Sequence, residues 1–158
     1  MSNKGKEGLL KSLAESHLET QKSIEGIDLE ATVYTEGDWR VRDLLGHCAT
    51  WERESTKSIR AYLRGSEYSI PDLDEEEHGF NEREVEKQRK LSDEDLIKEW
   101  ESAREEIKAV VKEISEDKFA GELLYPWGGE YGSVSQLVDF MVEHDEEHRE
   151  EILKAVGR

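Results

Sequence analysis

Cysteine occurs once and proline twice among 158 residues. A lone Cys48 cannot close an internal disulfide, which excludes a disulfide-stapled scaffold and agrees with a reducing compartment. The two prolines, Pro71 and Pro126, leave long stretches free of helix breakers. No apolar run approaches the ~18 residues of a membrane span, and Met1 to Lys6 leads straight into a charged segment without an apolar signal core. A cytoplasmic protein is expected. Basic residues are the last shortage: 22 Lys and Arg stand against 39 Asp and Glu, a formal net charge of −17. Phosphate backbones and anionic lipid are held mainly by cations, so neither nucleic acid nor a membrane surface is expected as a partner.

What is present is periodic. Only 35% of the residues are hydrophobic and 39% are charged, a balance that would favour disorder were the apolar residues not spaced at helical intervals. The length suits one domain over residues 1–158. A first helix is predicted from Lys6 to Glu25, with Leu10, Leu13, Ala14, His17, Gln21 and Ile24 on one stripe. Residues 28–38 connect it to a second helix, Arg40 to Arg64, and need no regular structure. The inner face of that helix carries Val41, Leu44, Leu45, Cys48, Trp51, Glu52, Ser55, Ile59, Tyr62 and Leu63, with His47 at its edge, roughly 100° from the centre. Residues 66–78 read as an acidic loop in which His78 is solvated. A short helix around Phe80, Val85 and Gln88 follows, and Ser92 caps a third long helix whose seam is Leu96, Trp100, Ala103, Ile107, Val110 and Ile114. Asp117 to Gly132 cannot be helical across Pro126, Gly128 and Gly129, and reads as a shaped aromatic loop or tight turn. Four long helices with crossing connections predict an all-α four-helix bundle, with a crossover connection and an aromatic, glycine-rich loop before the last helix.

That last helix, residues 133–155, opens with Ser133 and Gln136 as a capping pair. At ~100° per residue, His144 and His148 fall inside the arc set by Leu137 and Ala155. Polar groups on an inward face are costly unless something binds them. Two imidazoles at i and i+4 can share a divalent metal; the alternative is two core-edge histidines satisfied by neighbours such as Glu52 or Tyr62. A zinc-protease motif is excluded, because Asp145 stands where His-Glu-x-x-His has glutamate and no further histidine follows His148. Further ligands must come from a facing helix, where His47, the better-centred His17 and Cys48 compete. The acidic residues Glu143, Asp145, Glu146 and Glu147 read mainly as a solvated face, with some contacts that orient the imidazoles. Trp127 and Tyr131 are candidate lining for a small-molecule pocket.

The segment Trp39-Arg40-Val41-Arg42-Asp43-Leu44-Leu45-Gly46-His47-Cys48-Ala49-Thr50-Trp51-Glu52 resembles the second-helix signature of the DinB-like superfamily, in which a tryptophan precedes the helix and a histidine closes its second turn. His144 and His148 resemble its last-helix motif. Phe80-Asn81 with Leu91-Ser92-Asp93-Glu94-Asp95-Leu96, and Tyr125-Pro126-Trp127-Gly128-Gly129, point to the ClbS/DfsB-like branch. The resemblance implies a four-helix bundle whose triad His47, His144 and His148 binds a divalent metal, nickel or zinc in many members, and it assigns nothing to His17. Where members place serine as the N-cap after the tryptophan, this chain has Arg40, so Asp38 is expected to cap instead. Three imidazoles leave coordination positions open. The expected function is metal-dependent hydrolysis of a small electrophilic molecule, of a detoxification or self-resistance kind. The alternatives are a metal-dependent thiol transferase and a bundle that uses its ion only as a staple or for dimerisation. Homodimers suit such bundles, although no feature of the sequence requires one.

Overall fold

The computed structural model describes residues 5–71, 73 and 77–158. The periodic segments become four long helices, α1 (Lys6–Ser23), α2 (Val41–Leu63), α4 (Asp93–Glu113) and α6 (Val134–Ala155), with two shorter ones, α3 (Glu77–Gln88) and α5 (Glu116–Ala120). Helix starts follow local chemistry. Ser92 Oγ accepts the Asp95 N–H at 3.1 Å, and Ser133 Oγ accepts the Gln136 N–H at 3.1 Å. At α2 the expected cap is replaced: Asp43, not Asp38, closes the turn by accepting the Arg40 N–H at 2.9 Å. Asp38 has φ +52° and reaches Arg40 only as a surface ion pair.

Around the bundle the order is α1, α6, α2, α4, with α2 against α4 and α1 against α6 as its closest pairs. Both α1→α2 and α4→α6 therefore cross a diagonal. This places α2 beside α6, which are far apart in sequence, and the candidate site lies between them.

Each diagonal connection carries a small antiparallel ribbon. Residues 28–38, expected to lack regular structure, instead form β1 (Thr32–Tyr34), a 3-10 turn at Glu36–Asp38, and a pairing of β1 with β2 (Trp39–Arg40). Alternation over so few residues is too short to register as strand in the sequence. In the second connection α5 is followed by β3 (Leu123–Leu124), paired with β4 (Tyr131–Gly132). Gly128 and Gly129 take positive φ at the tip, and Gly132 lets the Tyr125 hydroxyl pass where any Cβ would collide with it. That hydroxyl donates to the Ser133 carbonyl at 2.8 Å, tying the hairpin to the start of α6.

Two apolar clusters fill the bundle. One contains Leu9, Leu13, Ile59, Ile107, Val110, Val134, Leu137 and Val138; the other contains Trp39, Val41, Leu44, Leu45, Trp100, Ala103 and Ile152. Full burial of such aliphatic side chains stabilises by roughly 1.5–3 kcal/mol each. Between the clusters every long helix contributes polar residues: Ser16, His17 and Thr20 from α1, His47 and Glu52 from α2, Arg104 from α4, and His144, Asp145 and His148 from α6. This layer rotates α1 relative to expectation. Its inward stripe is Leu9, Leu13, Ser16 and Thr20, and Ala14 is exposed, because Ser16 and Thr20 turn toward Asp145. The predicted α4 seam is buried throughout, joined by Arg104 and Val111. The acidic segment ends sooner than expected: α3 begins at Glu77 and takes in His78, whose predicted solvation lies outside the described side chains.

Candidate metal centre

His47 faces α6 from the second turn of α2 and is 7% exposed, so a residue read at the edge of a stripe is buried. The reason is that α2 is packed against α4 on one side, α6 on another and α3 on a third. Its Nε2 lies 3.0 Å from His144 Nε2, which lies 3.0 Å from His148 Nε2. The three rings meet edge to face, with centroids 4.5–5.1 Å apart, and all three nitrogens fall within 4.8 Å of one another. Two nitrogens bound at about 2.1 Å and at right angles to one ion would stand about 3.0 Å apart, so the donor set fits a divalent metal in type and spacing.

The protonation pattern supports that fit. His148 Nδ1 lies 2.5 Å from Glu151 Oε1, and the Tyr34 hydroxyl donates to the same oxygen at 2.6 Å. A carboxylate at Nδ1 holds the proton there and leaves the Nε2 lone pair aimed at the centre. Burial, followed by the nearby imidazoles, lowers the pKa of His47 from 6.5 to about 2. Burial and His148 lower that of His144 to about 4. Both rings are thus neutral, as ligands must be. An N–H on His144 Nε2 could serve only one of its two neighbours, so the cluster is not a closed set of hydrogen bonds.

The competing candidates lie elsewhere. His17 Nε2 pairs with Glu101 at 2.7 Å and its ring packs on Trp100, with centroids 4.3 Å apart. Cys48 is buried, and desolvation pushes its thiol pKa well up, which disfavours a thiolate. The neighbours expected to satisfy core-edge histidines are also engaged elsewhere: Glu52 accepts from Arg104 Nε at 2.5 Å, and the Tyr62 hydroxyl donates to the Lys118 carbonyl. Asp145, expected on a solvated face, is 3% exposed and is more inward than either histidine on α6. Its carboxylate accepts from the hydroxyls of Ser16 at 2.6 Å and Thr20 at 3.3 Å, which draw it toward α1.

Two cavities meet at the triad. One of about 350 Å³ exposes His47 and His144 among Trp51, Asn81, Trp127, Phe140 and Met141. The other, about 620 Å³, exposes His47 and His148 beside Tyr34, Glu36, Trp39 and Glu82. Asn81 reaches both, and its Oδ1 accepts from Trp51 Nε1 at 2.9 Å. Of the two residues expected to line a pocket, Trp127 does so. Tyr131 does not: it is 54% exposed and donates to Glu67, since strand alternation turns it away from the bundle. Sequence reasoning missed Tyr34 and Glu151. Glu151 carried a usable signal, three residues beyond His148 on the same helix; Tyr34 lies 114 positions from its histidine and carried none.

A family profile described as the DinB superfamily matches residues 7–152. No curated protein matches the chain. Among solved structures, DfsB, described as a sibling lethal factor precursor, superposes with a TM-score of 0.79 at 17% identity, covering 97% of this chain and 95% of its own. ClbS, a colibactin self-resistance protein solved in complex with a dsDNA, gives 0.76 at 14% identity, covering 94% and 93%. YfiT from Bacillus subtilis, a probable metal-dependent hydrolase with an unusual four-helix bundle topology, gives 0.75 at 16% identity, covering 98% and 87%. At such identities the likeness speaks for the fold. No helix among the described residues is long and apolar enough to cross a membrane.

Proposed function

The chain belongs to the DinB superfamily, and from that premise we propose that it is a metal-dependent hydrolase of small electrophilic molecules, with His47, His144 and His148 as the ligands of a nickel or zinc ion. The observation that carries this reading is the convergence of three Nε2 atoms, two of the separations 3.0 Å, at the meeting point of two cavities. An all-nitrogen set suits nickel or zinc over magnesium, which prefers oxygen. The description of YfiT as a probable metal-dependent hydrolase supports the reaction class. A divalent ion held by His47, His144 and His148 would supply Lewis acidity and would lower the pKa of a water toward neutrality.

The protein's own residues do the rest. Glu151 fixes the tautomer of His148 and Tyr34 steadies Glu151. Trp51, Trp127 and Phe140 give the cavity apolar walls that hold a substrate and thin its water. A small molecule fits better than nucleic acid as the partner, given the net charge of −17, although ClbS has been seen with dsDNA.

Elemental analysis and thermal melting of chelator-stripped protein with and without added nickel or zinc test the site. About one ion per chain and a higher melting temperature are expected, both lost in His148→Ala. Screening the loaded protein against epoxides, strained rings and activated esters, with and without an added thiol, then tests the reaction. Turnover that needs no thiol and vanishes in His144→Ala is expected. Turnover only with a thiol would replace hydrolysis by thiol transfer, and an ion without turnover would reduce the metal to a staple.

A further inference from the structure

Among the described residues, His47 and Asn81 are the two that line both cavities at the triad. Two contacts hold Asn81 in that place. Phe80, the residue before it on α3, meets the Trp51 ring of α2 edge to face, with centroids 5.5 Å apart, and Trp51 Nε1 donates to Asn81 Oδ1 at 2.9 Å. An indole nitrogen only donates, so this bond fixes which end of the amide is oxygen. The other end, Nδ2 with its two hydrogens, finds no acceptor among the described residues. The remaining polar groups of the smaller cavity are committed: Trp51 to Asn81 itself, Trp127 Nε1 to Glu130 at 2.7 Å, and the imidazoles of His47 and His144 to the triad.

An uncommitted donor in a cavity of about 350 Å³ whose other walls are Trp51, Trp127, Phe140 and Met141 is a single polar handle in an apolar seat. A ligand that displaces water from the amide and offers no acceptor leaves it desolvated and unpaired, so the cavity discriminates against such a ligand. We propose that Asn81 determines specificity at this site: its Nδ2 donates to the carbonyl oxygen of a substrate whose flat apolar part lies against Trp127 and Phe140. Aryl and other planar acyl compounds, such as esters and lactones, are the class that fits. Conjugation keeps the oxygen of such a group in the plane of the ring that bears it, at a rim where a side-chain amide can reach it. This narrows the hydrolase reading from small electrophiles to acyl compounds and rests on it for the bond that breaks, whereas the recognition of the oxygen needs no ion.

Two probes of one shape isolate the donor: acetophenone, and 2-phenylpropene, in which a methylidene group replaces the carbonyl oxygen. Both are titrated into metal-free, isotope-labelled protein and followed by NMR through the side-chain amide of Asn81, identified by its loss in Asn81→Asp, and through the Trp51 indole. Acetophenone should shift the Asn81 amide protons downfield to saturation, and 2-phenylpropene should move the indole signal while leaving those protons in place. Asn81→Ala should weaken acetophenone by about three- to tenfold and leave 2-phenylpropene within about twofold. Asn81→Asp keeps an acceptor for Trp51 and turns an acceptor toward the carbonyl, so it should weaken the ketone at least as much while the alkene reports an intact cavity. Asn81 protons unmoved by the ketone, equal losses for both probes in Asn81→Ala, or binding of neither probe would overturn the inference. In metal-loaded protein, kcat/KM for methyl benzoate should fall at least about threefold in Asn81→Ala with the metal content unchanged. The same turnover in that variant would also overturn it. Ketone recognition without turnover of any ester leaves Asn81 its role and removes the hydrolase alone.

Discussion

One half of the polar layer is closed by charge pairing, even though Arg104 Nη2 makes no hydrogen bond among the described residues, and the other is left open. Toward α1 and α4, opposite charges meet: Arg104, 1% exposed, donates to Glu52 and to the Leu13 carbonyl, and lies 3.8 Å from Asp145, whose other contacts are Ser16, Thr20 and Arg149. Between α2 and α6, like meets like: three imidazoles face one another through Nε2, and burial favours the neutral form of His47 and His144. A buried ion network that supplies its own counter-charges has no need of a ligand. A single N–H on His144 Nε2 serves only one of its two neighbours, so this cluster, unlike the ion network, does not complete its own hydrogen bonds. Burial alone therefore does not mark a functional site; the mismatch between a polar group and its protein neighbours does.

Breaking the closed half should have the largest effect. Glu52→Leu leaves Arg104 buried beside an apolar group and should lower unfolding free energy in urea by about 3–5 kcal/mol, with Glu52→Leu/Arg104→Met recovering most of it. If the single and double variants are equally unstable, charge pairing is not what matters there.

Acid should act on the open half. Because the folded chain keeps His144 near 4 and His47 near 2, against 6.5 in the unfolded chain, the unfolded state takes up protons that the folded state refuses. Metal-free protein should hold its full contribution above pH 6.5 and lose stability as pH falls toward 4, by up to about 1.4 kcal/mol per pH unit for each imidazole. Denaturant melts across that range should show a shallower slope for His144→Ala.

Smaller effects come from the residues that aim the triad. Glu151→Gln removes the carboxylate from His148 Nδ1 and should weaken metal binding by about 10–100-fold in a competition titration, with the fold unchanged. Tyr34→Phe removes one donor from Glu151 and should cost less than about tenfold. A Tyr34→Phe effect larger than that of Glu151→Gln would mean that the tyrosine acts on the histidine directly, across their 3.2 Å contact, rather than through the carboxylate.

The sequence by itself settled the long helices and the spacing of the two imidazoles on the last one. Ser92 and Ser133 marked helix starts, the Leu96 to Ile114 seam marked a buried face, and His144 and His148 stood one turn apart, all through contacts within four residues of each other. Such signals are local, so the order of residues along the chain suffices to reveal them. Tertiary packing decided the rest: that Asp145 turns inward, that α1 rotates to meet it, that residues 32–40 form a ribbon carrying Tyr34 to His148, and that Tyr131 faces away. Each of these depends on which helices are neighbours. That is set by two diagonal crossings and by the pairing of charges from different helices, interactions between residues about 50 to 130 positions apart that no local period records.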